Sequence, residues 1–112
     1  MDEAKDIKKL EPFIKNINYS GVKYFELLNS DNSSKMHSGF VTLKPGEEIG
    51  EHSTGKNEEI IIIVEGRGIV EAGSIKKNVS AGQIAYNPPE TIHNVINNSE
   101  NLFRYVFVVS KA

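Results

Sequence analysis

The sequence contains no cysteine and no tryptophan, and only three histidines occur among its 112 residues. The absence of cysteine excludes disulfides, a thiolate nucleophile and any zinc or iron–sulfur site with cysteine ligands. Thirteen basic and fifteen acidic residues give a net charge of −2, so we expect no strongly basic surface and no nucleic-acid partner. Metal or acid–base chemistry must therefore use carboxylates or the three histidines, which are His37, His52 and His93.

Long apolar segments are also missing. The longest apolar run, Ile60 to Val64, has five residues, whereas a membrane helix needs about 20. The first ten residues carry charges throughout and lack the apolar stretch of a signal peptide. We therefore expect a cytoplasmic protein with no membrane partner, and a chain of this length is expected to form one domain.

From Tyr19 onward, segments rich in Val, Ile, Tyr and Phe alternate with turn-forming residues at intervals of about 8–12 residues, which is typical of an all-β domain. We predict strands at 22–28, 35–43, 58–64, 69–72, 74–79, 83–87, 92–96 and 102–109. So many strands predict a sandwich, jelly roll or barrel, because an open sheet would leave exposed edges. Residues 1–18 are predicted to form a short helix or an arm in front of a barrel at 19–112.

The Ile60–Val64 run is apolar at every position, whereas a strand with one solvated face would alternate. We expect this strand to be covered by the core on one side, and by a second sheet or a partner subunit on the other. A homodimer is the expected assembly, because a small barrel buries little core and this run adds spare apolar surface.

Three polar residues fall on or beside these apolar segments: His52, Glu59 and His93. An unpaired carboxylate buried at the start of a β-branched run is costly, and a divalent cation would offset that cost. Two imidazoles and a carboxylate on rigid strands form a three-ligand site with open positions, which suits zinc or non-haem iron chemistry. Because strand neighbours face opposite sides, Glu58 is expected to be solvated.

The residues around the first histidine follow a recognisable spacing. Gly46, five residues, His52, Thr54, four residues, Glu59, six residues and Gly66 occur in this order. This segment resembles the first sequence motif of the cupin superfamily, in which a glycine precedes His-x-His, a glutamate and a second glycine. Thr54 stands where that motif has its second histidine, so one imidazole is missing.

The residues around His93 resemble the second cupin motif, which reads Gly, five residues, Pro-x-Gly, two residues, His, three residues, Asn. Here Gly82, Pro88, His93 and Asn97 match. Glu90 stands where the motif has its second glycine. We expect an adjustment of the turn at this position, because Pro88 and the proline after it already restrict the backbone.

The resemblance implies a double-stranded β-helix, the small jelly-roll barrel of single-domain cupins, with a divalent metal ion (Fe, Zn, Mn or Ni) at the barrel mouth. Position by position, it implies His52, Glu59 and His93 as the metal ligands. The protein would then bind or act on a small molecule, for example as a metal-dependent oxygenase or isomerase. Because Thr54 replaces one imidazole, a non-catalytic metabolite- or sugar-binding module with a degenerate or metal-free site is the alternative.

Four further residues are candidates for the substrate pocket. His37 shares a strand face with Val41, so it points into the barrel if that valine does. The hydroxyl of Thr54 is able to hydrogen-bond a bound water or substrate. Tyr105 and Phe107 share one strand face near the end of the chain. The pattern identifies neither a catalytic residue nor a substrate.

Overall fold

The computed structural model describes residues 9–19 and 22–112, and these two ranges contain strands but no helix. They accordingly include no helix of the length and apolar character that crossing a membrane requires. The strands are β1 (Tyr24–Leu28), β2 (Met36–Leu43), β3 (His52–Ser53), β4 (Asn57–Glu65), β5 (Arg67–Ala72), β6 (Ile75–Ser80), β7 (Ile84–Asn87), β8 (Ile92–Ile96) and β9 (Phe103–Lys111). Eight of them correspond to the predicted strands, and β3 is the additional one.

The strands form two sheets with the orders β1-β2-β9-β4-β7 and β3-β8-β5-β6, and all their pairings are antiparallel. The sequence prediction of an all-β jelly-roll barrel is therefore confirmed. Alternate residues of the strands supply the core between the sheets, which contains Val41, Leu43, Ile61, Ile63, Val70, Val79, Val95, Phe103 and Tyr105.

The N-terminal segment was expected to form a helix or an arm, and residues 9–19 contain no helix. Pro12 interrupts this short segment, and isolated helices of this length are marginal in water. The segment is an arm whose residues are mostly exposed. Its end contacts the larger sheet, where the Tyr19 ring meets the Phe40 ring edge-on at a centroid distance of 4.9 Å. Arg104 donates a hydrogen bond to the Tyr19 carbonyl at 3.2 Å. The remainder of the expected helix, residues 1–8, lies outside the described residues.

One cross-strand row of the larger sheet carries most of its polar inward-facing groups. Register places His37 of β2, Val109 of β9, Glu59 of β4 and Asn87 of β7 side by side. In the smaller sheet, His52 of β3 pairs with His93 of β8. Because strand residues alternate between faces, the apolar residues two and four positions further along fill the barrel beyond this row. The polar row therefore marks one end of the barrel.

The Ile60–Val64 run is buried in the core on only one of its two faces. Ile61 and Ile63 are buried in the core, whereas Ile62 and Val64 remain 37% and 42% exposed on the outer face. The expectation that a second sheet covers this outer face is wrong for the part of the chain that the structure describes. The second sheet packs against the inner face, where it closes the barrel.

Two turns have residues with positive φ at positions where the motifs have glycine. Gly66 has a φ of 80°, and a Cβ there would lie 2.3 Å from the Leu102 carbonyl oxygen, so only glycine fits between β4 and β5. Glu90 has a φ of 56°, as the one non-glycine residue of the described chain with a positive φ. The turn therefore has a left-handed residue at the position of the motif's glycine, although a glutamate occupies it.

Candidate functional site

A cavity of about 320 Å³ opens at the polar end of the barrel, between the two sheets. This volume falls in the lower range of small-molecule sites. All seven residues that the sequence singled out line it: His37, His52, Thr54, Glu59, His93, Tyr105 and Phe107. The fold thus brings the predicted ligands and the predicted pocket residues together.

Glu59 is a buried carboxylate, with 6% of its surface exposed. Its Oε1 accepts a hydrogen bond from Asn87 Nδ2 at 2.9 Å, across the β4–β7 pairing in which the two residues face each other. The neighbouring Glu58 points outward and accepts a hydrogen bond from the Tyr86 hydroxyl at 2.8 Å. The prediction that alternation directs Glu59 inward and Glu58 outward is confirmed.

His93 is buried beside this carboxylate, and its Nε2 lies 3.0 Å from Glu59 Oε1. Its other ring nitrogen, Nδ1, lies 3.1 Å from the Thr91 carbonyl. A carbonyl only accepts, so Nδ1 carries the proton, and in the neutral ring Nε2 presents a lone pair. Nε2 and Oε1 are then two acceptors in contact, an arrangement that is favourable only with a proton or another cation between them.

His52 also directs its Nδ1 toward a backbone carbonyl, but it is more exposed than His93. Its Nδ1 donates to the Gly50 carbonyl at 2.8 Å, which again leaves Nε2 as the lone-pair nitrogen. Its ring stands edge-on to the His93 ring at a centroid distance of 4.1 Å. Backbone carbonyls that hold the Nδ1 protons of metal-binding histidines are a usual way of fixing the ligating tautomer.

The Gly50 carbonyl is itself held in place by β8. Asn94 is buried, and its Oδ1 accepts a hydrogen bond from Gly50 N at 2.9 Å. Its Nδ2 donates to Glu48 Oε1 at 2.8 Å. Asn94 therefore fixes the loop before β3 and, through Gly50, the orientation of His52.

Two buried side-chain atoms of the described residues have no hydrogen-bond partner, namely His93 Nε2 and Asn87 Oδ1. Both belong to residues in contact with Glu59, and both are acceptors in the neutral forms assigned here. Buried acceptors without donors beside a carboxylate form a suitable environment for a cation. Two imidazole nitrogens and a carboxylate also match the ligand preference of divalent zinc, iron, manganese or nickel. The donor set therefore fits a divalent metal.

The three candidate ligands are neighbours, but their side chains do not converge on a common point. Among residues 9–19 and 22–112, no group of three His, Asp or Glu side chains has an arrangement that would hold a metal ion. Glu59 and His93 are in contact and buried. His52 is exposed, pairs with His93 across β3 and β8, and places its ring edge-on to the His93 ring.

Thr54, at the position of the missing second histidine, has a structural role. Its hydroxyl donates to the Pro88 carbonyl at 2.6 Å and accepts from Thr91 N at 3.0 Å. These bonds connect the end of β3 to the loop that precedes β8, and β8 carries His93. Thr54 lines the cavity, but its one hydroxyl proton is already donated to the Pro88 carbonyl.

Tyr105 and Phe107 contribute aromatic surface to the lining of the cavity. Burial and, to a smaller extent, the negative charge of Glu59 raise the pKa of Tyr105 well above its usual range, so its hydroxyl stays protonated. Phe107 is half-buried and stacks on the Tyr24 ring at a centroid distance of 5.9 Å with 24° between the planes.

His37 lies at the solvent-facing edge of the cavity. Its Nε2 is 3.2 Å from the Tyr24 hydroxyl, and its ring lies 5.7 Å from the Phe107 ring centroid. His37 lines the cavity, in agreement with the alternation along β2, but its side chain is exposed. Nε2 already has a partner, so the structure gives no support to His37 as a replacement for the missing imidazole.

Two residues that contribute to the site were not singled out in the sequence. Tyr24 lines the cavity from β1, an edge strand outside both motifs. Asn87 does not line it but hydrogen-bonds Glu59 through a pairing that only the folded register reveals. Asn97 of the second motif lies elsewhere. It is buried, and its amide bonds the carbonyls of Leu43 and Asn101 at 2.8 Å each, so it serves the fold.

Comparisons with known proteins agree with this architecture. A search of curated proteins finds no match. A protein of Bacillus halodurans superposes with a TM-score of 0.80 at 20% identity, covering 91% of this chain and 83% of that one. A Cupin 2 conserved barrel domain protein of Salinispora arenicola gives 0.76 at 21% identity, covering 91% of both chains.

The Cnp3 cupin domain of Schizosaccharomyces pombe gives a TM-score of 0.72 at 13% identity and covers 80% of this chain, which spans 64% of that domain. These structures show that the fold is shared. The sequence model of the cupin domain matches residues 39–109, a segment that includes both motifs and the three candidate ligands. The chain therefore belongs to the cupin domain family.

Proposed function

We propose that this protein binds a divalent metal ion through Nε2 of His52, Nε2 of His93 and the carboxylate of Glu59, and that the loaded site binds a small molecule. The contact between His93 Nε2 and Glu59 Oε1 carries the proposal. Both groups are buried acceptors, and the His93 proton is committed to a backbone carbonyl on the opposite side of the ring.

The spacing of these atoms supports a shared metal. Ligand atoms about 2.0–2.2 Å from one ion lie roughly 3 Å from each other, and the observed separation is 3.0 Å. Three protein ligands leave coordination positions open for water or a ligand oxygen. When bound, the metal would supply Lewis acidity toward that oxygen. The protein itself would supply tautomer control through Gly50 and Thr91, and apolar walls that limit access of water.

A second candidate is a metal-free binding module. It is favoured by the absence, among the described residues, of a ready three-ligand arrangement, and by the loss of one imidazole at Thr54. In this alternative a proton lies between His93 and Glu59, and the cavity binds a metabolite or sugar by shape and hydrogen bonding alone. Metal titration separates the two candidates.

The experiment is an equilibrium titration of metal-free protein with Zn²⁺, Mn²⁺, Fe²⁺ and Ni²⁺. The proposal predicts one ion per chain for at least one metal, and at least a tenfold weaker affinity in Glu59→Gln. Glu58→Gln is the matched control, because the same change on the outer face of the same strand should leave affinity unchanged. Absence of binding by the wild-type protein would support the metal-free module instead.

We also propose that the protein is a homodimer that associates through the outer face of the larger sheet. An apolar patch covers this face, formed by Ile60, Ile62, Val64, Ile84, Tyr86, Val106 and Val108. Register pairs Ile62 with Ile84 and with Val106, so the patch is continuous across three strands. Continuous exposed apolar patches indicate association, and a two-fold axis would cover the same patch on both copies.

A further inference from the structure

Tyr24, His37 and Phe107 form an aromatic cluster at the cavity mouth, for which the backbone makes room. Gly39 lies beneath it, and a Cβ at this position would be 2.5 Å from Tyr24 Cε1 and 2.8 Å from Phe107 Cε2. A glycine within a central strand usually weakens the strand. Here it permits the two rings to stack directly over the backbone of β2.

The Tyr24 hydroxyl lies 3.2 Å from His37 Nε2. In the tautomer that directs the Nε2 lone pair toward this hydroxyl, Tyr24 donates the hydrogen bond. The neutral imidazole then carries its own proton on Nδ1. No partner for Nδ1 occurs in the described ranges of the chain, so this N–H is free to donate to a bound molecule.

Positive charge lies just beyond this edge. An adjoining cavity of about 420 Å³ shares His37, Asn57 and Val109 with the first cavity, and it is also lined by Lys35 and Lys111. The two cavities together extend from the Glu59–His93 end, across an apolar and aromatic middle, to a donor-rich, cationic edge.

We propose that the Tyr24–His37 pair is a second anchor for the ligand, and that the ligand is a planar small molecule with an oxygen-bearing group at each end. One end would occupy the metal site and the flat middle would lie against Phe107. A carboxylate at the far end would accept a hydrogen bond from His37 Nδ1. The position of the first end of the ligand rests on the proposed metal site. The second anchor at Tyr24 and His37 does not depend on it.

The test compares probes with one and two carboxylates. Binding of benzoate, benzene-1,3-dicarboxylate and benzene-1,4-dicarboxylate is measured calorimetrically with metal-loaded and metal-free protein. The wild-type protein should prefer at least one dicarboxylate over benzoate by about tenfold or more, as expected for one added hydrogen bond to a charged group. Tyr24→Phe and His37→Gln should bring this ratio close to one.

Tyr86→Phe is the matched control, because it removes a tyrosine hydroxyl from the outer face and should preserve the preference. Metal affinity is measured for each variant and should not change. A wild-type ratio near one, or a ratio unaffected by both variants, would overturn the second anchor. A tenfold loss of metal affinity in His37→Gln would also overturn it, because His37 would then be a ligand. If the wild-type protein does not bind metal, only the proposed function is refuted. The ratio of dicarboxylate to benzoate affinity in metal-free protein still tests the second anchor.

Discussion

His93 Nε2 and Glu59 Oε1 lie 3.0 Å apart in the buried end of the barrel, while the opposite nitrogen of the same imidazole donates to the Thr91 carbonyl. The ring is therefore held with its lone pair toward a carboxylate. Either a proton or a metal ion must occupy the space between these atoms. The two occupants compete, and this competition determines how the site responds to pH.

Metal affinity is expected to decrease as the pH falls. Burial alone lowers the pKa of His93, but its contact with Glu59, the Thr91 carbonyl and the Glu59 charge together raise this pKa above its ordinary 6.5. The ligating nitrogen must be deprotonated, so the decrease should begin above pH 6.5 and continue below it. Titrations from pH 5 to 8.5 check this, and a constant affinity would argue against histidine ligation.

The same pKa shift predicts the pH dependence of stability in the metal-free protein. Because the folded pKa exceeds the unfolded one, the stabilisation from His93 is complete below pH 6.5 and is lost as the pH rises through the folded pKa. Glu59→Gln removes the partner charge, so the pKa of His93 should fall. An NMR titration of the His93 ring in both proteins measures the two values directly.

Glu90→Gly is expected to stabilise the protein. Glu90 has a φ of 56°, and a left-handed conformation costs a residue with a Cβ about 1–2 kcal/mol. Glycine avoids that cost but loses more backbone entropy on folding, so the net gain should be about 0.5–1 kcal/mol. Chemical denaturation measures it. A loss of stability would show that the glutamate side chain compensates for its own backbone strain.

Gly39→Ala is expected to destabilise the fold by about 1–3 kcal/mol, the usual cost of overpacking, because the added methyl group overlaps the Tyr24 and Phe107 rings. In a Tyr24→Ala background the cost should be smaller, since one of the two rings is gone. A double-mutant cycle measures this coupling. Additive effects of the two substitutions would contradict the packing described for the aromatic cluster.

The outer apolar patch is expected to hold two copies of the chain together. Ile84→Lys places a charge in the patch, where the isoleucine is 61% exposed, and should shift the protein toward monomer. Ile75→Lys is the matched control, because Ile75 is similarly exposed at 56% but lies on the other sheet. Sedimentation over a range of protein concentrations distinguishes the species. A wild-type monomer at all concentrations would refute the dimer.

The motif spacing predicted the buried half of the site because the strands that carry the two motifs pair with each other, β3 with β8 and β4 with β7. Glu59 and His93 are separated by 34 positions in the chain, yet each lies where its motif requires. The inward direction of His37 followed from simple alternation along β2. These inferences needed only the strand period and the assumption of a barrel.

Other features depended on pairings that the sequence does not encode locally. Tyr24 comes from an edge strand whose register with β2 shifts between Glu26 and Leu28, so its position over Gly39 could not be counted from the sequence. The sequence does not show that the Thr54 hydroxyl donates to the Pro88 carbonyl, because these residues are 34 positions apart and meet only in the folded barrel. Five consecutive apolar residues also do not distinguish a second sheet from a partner subunit as the cover of the outer face of β4, and among the described residues the structure excludes only the sheet.

The most direct test is the response of the three histidines to metal. In protein labelled with ¹⁵N at histidine, addition of one equivalent of Zn²⁺ should shift the Nε2 resonances of His52 and His93, while their Nδ1 atoms keep their protons. The resonances of His37 should remain unchanged. No response of the His52 and His93 resonances, or a zinc-bound His37, would contradict a metal site built from His52, Glu59 and His93.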